Sequence, residues 1–206
     1  MSESIKKDFP DWETLYKNQN VETMPWYNKN FDSDLQKQLD KRKISADGVK
    51  KFLDLGTGPA TQAIWLSKRG FTVIGSDLSE AAINRARKIY ANEINVNFIV
   101  DDILNTNFKD NEFDYIFDRG CFHVLLPSDR KKYINKIQKI LKKNGILFLK
   151  CFSYKEPRQE GPYKFSQNEI RALFGKSFKI HSIEETVYQG TLDPLPKALF
   201  VVMTNK

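Results

Sequence analysis

The chain has 206 residues, of which 40% are hydrophobic and 29% are charged, as in most globular proteins. No stretch approaches the roughly 20 consecutive apolar residues that a membrane span requires. The N-terminus lacks the apolar run of a signal peptide, and the only cysteines are Cys121 and Cys151. We therefore expect a soluble, reduced, cytoplasmic monomer of one domain with no membrane partner.

The formal net charge of +7 raises the question of a nucleic-acid partner, because lysine and arginine neutralise phosphates. The basic residues lie in scattered pairs, such as Lys6 with Lys7 and Lys142 with Lys143, and no basic run reaches five residues. A solvated surface explains such pairs equally well. The charge pattern therefore does not favour nucleic acid.

The first 48 residues carry three aromatic patches within polar sequence, at Phe9 to Trp12, at Trp26 and Tyr27, and at Phe31. They show none of the strand and helix alternation of the later chain. We expect this segment to form helices that fold over the sheet as a lid.

From residue 49 onwards, apolar runs alternate with amphipathic stretches. The first half predicts strands at 51–55, 71–76 and 96–100, with helices at 61–69 and from a cap at Ser79 to about residue 91. The second half predicts a strand at 113–117, a helix from Ser128 to Lys143 stopped by Gly145, and a strand at 146–152. A capping box at Ser166 and Glu169 starts the next helix. Strands at about 179–187 and 198–204 follow without a helix between them and should pair antiparallel.

These elements predict an α/β, Rossmann-like fold with a mostly parallel seven-stranded sheet, helices on both faces and an antiparallel C-terminal strand. Residues 1–206 form a single domain in this interpretation, with 1–48 as the lid and 49–206 as the core. Ligands of such sheets bind at the carboxyl ends of the strands.

The first of these strand ends carries a glycine turn with Gly56 and Gly58. Glycine lets the backbone approach a ligand closely. Dinucleotide oxidoreductases place a third glycine where this chain has Thr61. The carboxylate of Asp54, just before the turn, instead suits a ligand with an amino group and a sulfonium.

The next two strand ends also carry carboxylates. Asp77 lies about 20 residues beyond the glycines, where a carboxylate can accept both hydroxyls of a ribose. Asp101, Asp102 and Ile103 follow the third strand, where a carboxylate can accept from an adenine amine while Ile103 packs on the ring. A simple turn cap is the alternative for this pair of aspartates.

Taken together, these segments resemble the class I S-adenosylmethionine-dependent methyltransferases. Later segments resemble the thiopurine S-methyltransferase branch: Phe113 to Gly120, Asp129 with Arg130 and Tyr133, Phe152 to Tyr154, Gly161 to Tyr163, Glu169 with Ile170, and Leu173 to Gly175. The resemblance covers about residues 10 to 204. The chain departs from the thiopurine pattern at Cys121 to His123 and at Asp101 and Asp102, which leaves the acceptor open.

The resemblance implies S-adenosylmethionine as cofactor, S-adenosylhomocysteine as product, and no metal. The expected cofactor-binding residues are Trp12, Tyr16, Trp26, Asp54, Gly56, Gly58, Asp77, Leu78, Asp101, Asp102, Ile103, Asp118 and Arg119. The expected acceptor-binding residues are Tyr27, Arg119, His123, Tyr163 and Phe165. Each aromatic residue in these sets can alternatively be simple core.

Two residues after the fourth strand are candidates for catalysis. Arg119 can favour an anionic acceptor, or it can bond Asp118 or a loop carbonyl structurally. His123 can act as a general base, or it can be a satisfied core histidine. A thiol with a pKa of about 8.5 is partly ionised at neutral pH and needs no strong base.

We therefore expect an enzyme that transfers a methyl group in line to a small molecule, such as a thiol or another soft nucleophile. A methyltransferase of RNA or protein and a non-catalytic S-adenosylmethionine-binding protein remain as alternatives. A nicotinamide oxidoreductase is disfavoured by the missing third glycine.

Overall fold

The computed structural model describes residues 7–206, so the first six residues of the predicted lid lie outside the described residues. The N-terminal segment forms helix α1 (Trp12–Asn18), a 3-10 turn (Val21–Thr23) and helix α2 (Ser33–Lys41). Asp11 and Asp32 cap the two helices, because their carboxylates accept hydrogen bonds from backbone amides of the first turn. The predicted helical character of this segment is therefore observed.

The rest of the chain alternates strands and helices. The elements are β1 (Lys51–Leu55), α3 (Thr61–Lys68), β2 (Thr72–Asp77), α4 (Glu80–Ile89), β3 (Val96–Val100), β4 (Phe113–Arg119), α5 (Arg130–Ile140), β5 (Leu141–Ser153), β6 (Lys164–Phe165), α6 (Gln167–Phe174), β7 (Phe178–Val187) and β8 (Lys197–Asn205). A short 3-10 turn (Phe122–Val124) follows β4. Helix α6 begins with the predicted capping box of Ser166 and Glu169.

The strands form one sheet in the order β3-β2-β1-β4-β5-β8-β7, and the two-residue strand β6 pairs with the end of β5. Strands β1 to β5 are mutually parallel, whereas β8 runs antiparallel to both β5 and β7. The predicted mostly parallel sheet with an antiparallel C-terminal strand is confirmed. The short strand β6 is an addition to the seven that were predicted.

Apolar side chains cover both faces of this sheet. One cluster packs α5 and α6 against β1, β4, β5 and β8, and the other packs α2, α3 and α4 against the opposite face. Strand β5 is buried along its central residues, as expected of a strand with neighbours on both sides and helices on both faces. The helices therefore leave the carboxyl ends of β1 to β4 to be covered by loops and by the N-terminal segment.

The end of α5 differs from the prediction. The helix ends at Ile140 rather than Lys143, and the fully buried Leu141 pairs with Phe113 of β4. The side-chain amide of Asn205 donates to the backbone carbonyls of Gln138 and Leu141, so the last turn is satisfied by a residue far along the chain. Gly145 is therefore not the helix stop.

Candidate active site

The turn after β1 brings the backbone against the N-terminal segment. Gly56 and Gly58 have φ angles of +67° and +47°, in the left-handed region that favours glycine. A Cβ atom at Gly58 would lie 2.4 Å from the hydroxyl oxygen of Tyr16. Glycine is thus required at position 58 by both conformation and space.

Asp54 lies beneath this turn and is almost completely buried. Its Oδ2 atom accepts hydrogen bonds from the Thr57 hydroxyl (2.6 Å) and from the Ala63 amide (3.1 Å) at the start of α3. Burial raises the pKa of Asp54 to about 6. The carboxylate therefore holds the turn with one oxygen and retains acceptor capacity on the other.

Asp77 ends β2 beside the same turn. Its two oxygens accept from the amides of Gly58 (2.9 Å) and Ser79 (2.9 Å), and burial raises its pKa. A carboxylate has about four acceptor positions, so two remain for a ligand. The next residue, Leu78, is 59% exposed.

The third strand end carries the two neighbouring aspartates. Asp102 is engaged by the Leu104 amide (2.9 Å) and by the Asn105 side chain (2.6 Å), which makes it a turn cap. Within residues 7–206, by contrast, the buried Oδ2 of Asp101 has no hydrogen-bond partner. A buried acceptor without a partner is costly and points to a missing donor. Ile103 is mostly buried and belongs to the core cluster of α5 and α6.

The aromatic residues of the N-terminal segment form one small cluster over these strand ends. Trp12 contacts Trp26 edge to face at 5.8 Å, and the Trp26 indole donates to the Tyr16 hydroxyl (3.2 Å). Tyr27 is partly buried in the same cluster, next to Ala82 of α4. The structure therefore brings three of the predicted cofactor residues together, and it groups Tyr27 with them.

Glu13 fastens this cluster to the core, and the sequence analysis did not identify it. Its carboxylate accepts from the Ser79 hydroxyl (2.8 Å) and from the Ala81 amide (3.0 Å) at the start of α4. An acidic group is stabilised at a helix N-terminus, where unpaired amides carry partial positive charge. Helix α1 is thereby held beside Asp77.

Asp118 does not fit its predicted role as a cofactor ligand. It is fully buried, and its oxygens accept from the amides of Gly120, Cys121 and Phe122 and from the Tyr133 hydroxyl. These bonds shape the loop after β4. The prediction is corrected: Asp118 positions the loop and has no free face toward a ligand.

Arg119 lies at the edge of the glycine turn. It lines a cavity of about 30 Å³ together with Trp26, Asp54 and Gly56. Its guanidinium donates to the Asp32 carboxylate (3.2 Å), to the Trp26 carbonyl (3.0 Å) and to the Gln189 carbonyl. The guanidinium thus bonds two loop carbonyls, as expected if Arg119 has a structural role. Its carboxylate partner, however, is Asp32 rather than Asp118.

The guanidinium of Arg119 also lies 4.4 Å above the ring of Tyr188, whose hydroxyl donates to the Arg119 carbonyl. Tyr188 was given no role by the sequence analysis. Its place just after β7 offers no signal, because the contact joins residues that are 69 positions apart.

His123 is fully enclosed between Phe152 and Tyr188, with its ring stacked on Tyr188 at 5.6 Å. Its Nδ1 accepts from the Phe152 amide (3.2 Å), so the neutral ring carries its proton on Nε2. Burial, followed by the nearby charge of Arg119, lowers the pKa of His123 to about 3. The geometry therefore does not support the predicted general base, because the basic nitrogen is already occupied.

The two aromatics predicted to bind the acceptor have different surroundings. The Tyr163 hydroxyl accepts from the Lys7 amide (3.0 Å), and its ring lies 5.9 Å from Phe9 of the N-terminal segment. Phe165 is 1% exposed and packs against Phe122 at 5.0 Å. Tyr163 thus borders the N-terminal segment, whereas the prediction for Phe165 is corrected: it is a core residue.

Lys150 and Asp32 are the two buried charged residues that sequence reasoning missed here. The Lys150 ammonium is fully buried and donates to Asp32 (2.8 Å) and Asp34 (2.7 Å). Burial acts to raise the pKa of Asp32, but Lys150 and Arg119 outweigh it and hold that pKa below its usual range. The available signal was a lone lysine within the apolar strand ILFLKCF.

Residues 7–206 contain no group of three or more His, Cys, Asp or Glu side chains that could hold a metal ion. In the same residues, no helix is long and apolar enough to cross a membrane.

Comparison with known proteins places this fold and site in a class. A solved structure of Burkholderia thailandensis 1,6-didemethyltoxoflavin-N1-methyltransferase, with bound 1,6-didemethyltoxoflavin and S-adenosylhomocysteine, matches with a TM-score of 0.67. The alignment covers 84% of this chain and 77% of that chain at 18% identity. The fold is thus that of the S-adenosylmethionine-dependent methyltransferases.

The sequence comparisons then identify the family. The family model for thiopurine S-methyltransferase (TPMT) matches residues 7–199, and the chain belongs to this family. Thiopurine S-methyltransferase of Oryctolagus cuniculus is 27% identical, with 87% of this chain and 85% of the relative covered. The 2-heptyl-1-hydroxyquinolin-4(1H)-one methyltransferase of Mycobacteroides abscessus is 29% identical, with 89% and 81% covered. The protein is an S-adenosylmethionine-dependent methyltransferase.

The residues at the strand ends fit this cofactor. Asp101 offers a buried oxygen that lacks a donor within the described chain, and an adenine amine is such a donor. Asp77 retains two acceptor positions for a pair of ribose hydroxyls. Gly56 and Gly58 add no side chains of their own beside Asp54, which suits the cationic amino-acid part of the molecule.

Proposed function

We propose that the protein transfers the methyl group of S-adenosylmethionine to a small molecule whose acceptor atom is a soft anion, preferably a thiolate. The observation that carries this proposal is the position of the Arg119 guanidinium beside the glycine turn, with no free base next to it. Of the carboxylates on this side, Asp32 is shared between Arg119 and Lys150, and Asp118 accepts hydrogen bonds from loop amides and from the Tyr133 hydroxyl. The end of β4 therefore offers a cation to an anionic acceptor and no group that could remove a proton.

The cofactor supplies an electrophilic methyl group on a sulfonium when bound. In this proposal Asp54 pairs with its amino group and Asp77 accepts from its ribose hydroxyls. Asp101 accepts from the adenine amine, with Leu78 packed on the ring. The exposure of Leu78, at 59%, is the expected state of a side chain that awaits an apolar partner.

The aromatic cluster of Trp12, Tyr16 and Trp26 acts as the lid of this site. Aromatic faces attract a sulfonium as they attract an ammonium. A closed lid also excludes water from the reaction. Holding the acceptor atom and the methyl carbon near 3 Å apart in such a site can lower the activation free energy by roughly 7 to 11 kcal/mol. The cavity of about 30 Å³ beside Arg119 is lined by Trp26 of this cluster.

The acceptor side lacks a group that could remove a tightly held proton. His123 is neutral, with a pKa near 3, and its protonated Nε2 can only donate a hydrogen bond. An acceptor that is already ionised near pH 7 meets both conditions, because it needs no base and is attracted by Arg119. Thiols, sulfide and acidic hydroxyl compounds belong to this class, whereas alcohols and alkylamines do not.

The relatives' names support a small acceptor. They describe a thiopurine S-methyltransferase and a hydroxyquinolinone methyltransferase, both of which act on small heteroaromatic compounds. RNA or protein acceptors would need an open groove at the strand ends, where Glu13 and the aromatic cluster instead fasten α1.

The proposal is tested by incubating the protein with methyl-labelled S-adenosylmethionine and a panel of acceptors. The panel comprises thiophenol, sulfide, iodide, a 1-hydroxyquinolinone, phenol, a primary alkylamine and RNA. We expect labelling of the first four and a rate with thiophenol at least tenfold above that with phenol. Equal rates with the alkylamine, or transfer to RNA alone, would contradict the proposal. Tight cofactor binding without any transfer would favour the non-catalytic alternative.

A further inference from the structure

Lys150 is an unusual residue for the centre of a parallel sheet. It lies near the carboxyl end of β5 with its side chain fully buried, next to Arg119 in the β4 register. Neighbouring residues of parallel strands point to the same face, so two cations stand side by side there. A buried charge of this kind is costly unless it is paired and hydrogen bonded.

The pairing is provided by the N-terminal segment. Oδ2 of Asp32 accepts from both Lys150 (2.8 Å) and Arg119 (3.2 Å), so one oxygen bridges the two cations. Asp34 accepts from Lys150 and also from the Thr186 hydroxyl (2.8 Å). Two cations and two carboxylates thus form a balanced group, which we call the Lys150 network.

The Lys150 network also contacts Gln189, another hydrogen-bond partner of Arg119. Gln189 accepts from Arg119 with its backbone carbonyl and from Lys150 with its side-chain oxygen. Of the three hydrogen-bond acceptors of the Arg119 guanidinium, Asp32 and Gln189 are therefore themselves held by Lys150. The third acceptor, the carbonyl of Trp26, and the ring of Tyr188 are independent of it.

We propose that Lys150 is a positioning residue for methyl transfer, which acts by holding Asp32 and Gln189 so that Arg119 keeps its orientation toward the glycine turn. An apolar residue of similar size would fill the same space at lower desolvation cost, so packing alone does not account for an ammonium here. This inference rests on the proposed role of Arg119 in the reaction.

The test is a double-mutant cycle in which Lys150 is removed in two backgrounds. The variant K150M/D34N deletes one cation and one carboxylate, so the remaining Asp32 and Arg119 still balance. D34N alone is the matched control, because it leaves the bridge from Lys150 to Asp32 intact. The same changes are made in the R119Q background. Each protein is assayed for kcat and KM with thiophenol, and for the Kd of S-adenosylhomocysteine by calorimetry on cofactor-free protein.

We expect K150M/D34N to lower kcat/KM for thiophenol by about 10-fold to 100-fold, because a small displacement of a positioning group is costly in the transition state. We expect the loss in D34N to be at least about threefold smaller than the loss in K150M/D34N, because the bridge from Lys150 to Asp32 remains. In the R119Q background, K150M/D34N should cost less than about threefold in kcat/KM and in the Kd, since no arginine is left to misplace. Equal losses in both backgrounds would overturn the inference and leave Lys150 as a structural residue only.

Two outcomes keep the inference separate from the proposed function. If R119Q changes neither the kinetics nor the Kd, the assignment of Arg119 has failed. If R119Q is impaired but the cycle is additive, only the role of Lys150 has failed. Should K150M/D34N not fold, Q189A is measured in both backgrounds instead, with an expected loss of about threefold that R119Q abolishes. A loss that persists in R119Q would again overturn the inference.

Discussion

The ends of β1 to β3 and the end of β4 form one site but are built in different ways. At β1 to β3, each carboxylate is held by amides or hydroxyls close by in the chain or on the neighbouring strand end, as with Asp54 and Thr57 or Asp77 and Ser79. At β4, Arg119 is held by Asp32, Trp26 and Gln189, which lie 70 to 93 positions away. The first region is a local motif, whereas the second is an assembly of distant segments. We expect the local motif at β1 to β3 to bind the cofactor, and the assembly around Arg119 to serve the reaction with the acceptor.

The comparison predicts that changes at β4 affect turnover more than cofactor binding. We expect R119Q to lower kcat/KM for thiophenol by about 100-fold to 1,000-fold, because it removes the charge that stabilises an anionic acceptor in a dry site. The Kd of S-adenosylhomocysteine should weaken by only about tenfold. Steady-state kinetics and calorimetry on the same preparation measure both. A Kd loss as large as the kinetic loss would remove the distinction between the two regions.

Changes at β2 should show the opposite balance. D77N loses the charge of a carboxylate that we assign to the ribose hydroxyls, and a hydrogen bond to a charged group contributes about 1.5 to 3 kcal/mol. We expect the Kd of S-adenosylhomocysteine to rise by about 10-fold to 100-fold. At saturating S-adenosylmethionine, kcat should stay within about threefold of the unmodified protein. A thermal melt is the control, because the Gly58 and Ser79 amides also depend on this carboxylate.

The pH dependence of cofactor binding should report on Asp54. Its pKa of about 6 in the free protein means that the carboxylate takes up a proton as the pH falls through 6, and a neutral acid no longer attracts an amino group. We expect the affinity to be constant above about pH 7 and to fall toward tenfold per pH unit below 6.

The matched control for this experiment is D54N. Burial also raises the pKa of Asp118 to about 6, so a general change of the fold would appear in the same range. D54N keeps Asp118 and should bind weakly at every pH with a nearly flat profile. A D54N profile that still falls below pH 6 would assign the effect to Asp118 or to Asp77, because burial raises the pKa of Asp77 as well.

The smallest effect is expected at His123. Its basic nitrogen already accepts the Phe152 amide, so H123N, which retains an acceptor and a donor, should lower kcat by no more than about fivefold. The pH profile of kcat/KM should keep its shape, because no histidine titration contributes to it. A loss of more than about 100-fold, or the disappearance of a rising limb, would restore the general base of the original prediction.

The same contrast explains what the sequence could predict. Asp54, Gly56, Gly58 and Asp77 follow directly from strand ends and glycine spacing, since the fold brings successive parallel strand ends to one edge. The role of Asp118 was wrong because four donors, including the distant Tyr133, occupy its oxygens. Phe165 was wrong for a similar reason, as nothing in its local sequence tells the core side of β6 from the open side.

The contacts of Asp32 could not be predicted in the same way. The sequence Asp32-Ser33 indicates a helix cap, and the cap is present. No local pattern indicates that the second oxygen of this carboxylate meets Lys150 across 118 positions. Long-range ion pairs are set by the tertiary fold, and a lone lysine within an apolar strand shows only that some partner is needed.

The double use of Asp32 also sets how ligands can enter. One oxygen of Asp32 caps the first turn of α2, and the other bridges Lys150 and Arg119. Moving α2 away from the sheet would therefore remove its N-terminal cap and leave two buried cations without the carboxylate that they share. Residues 7 to 31 bear no such shared charge and are held by neutral contacts and by Glu13, including the bond from Arg119 to the Trp26 carbonyl. We therefore expect ligand entry and release to involve movement of the stretch before Asp32, with α2 remaining on the sheet.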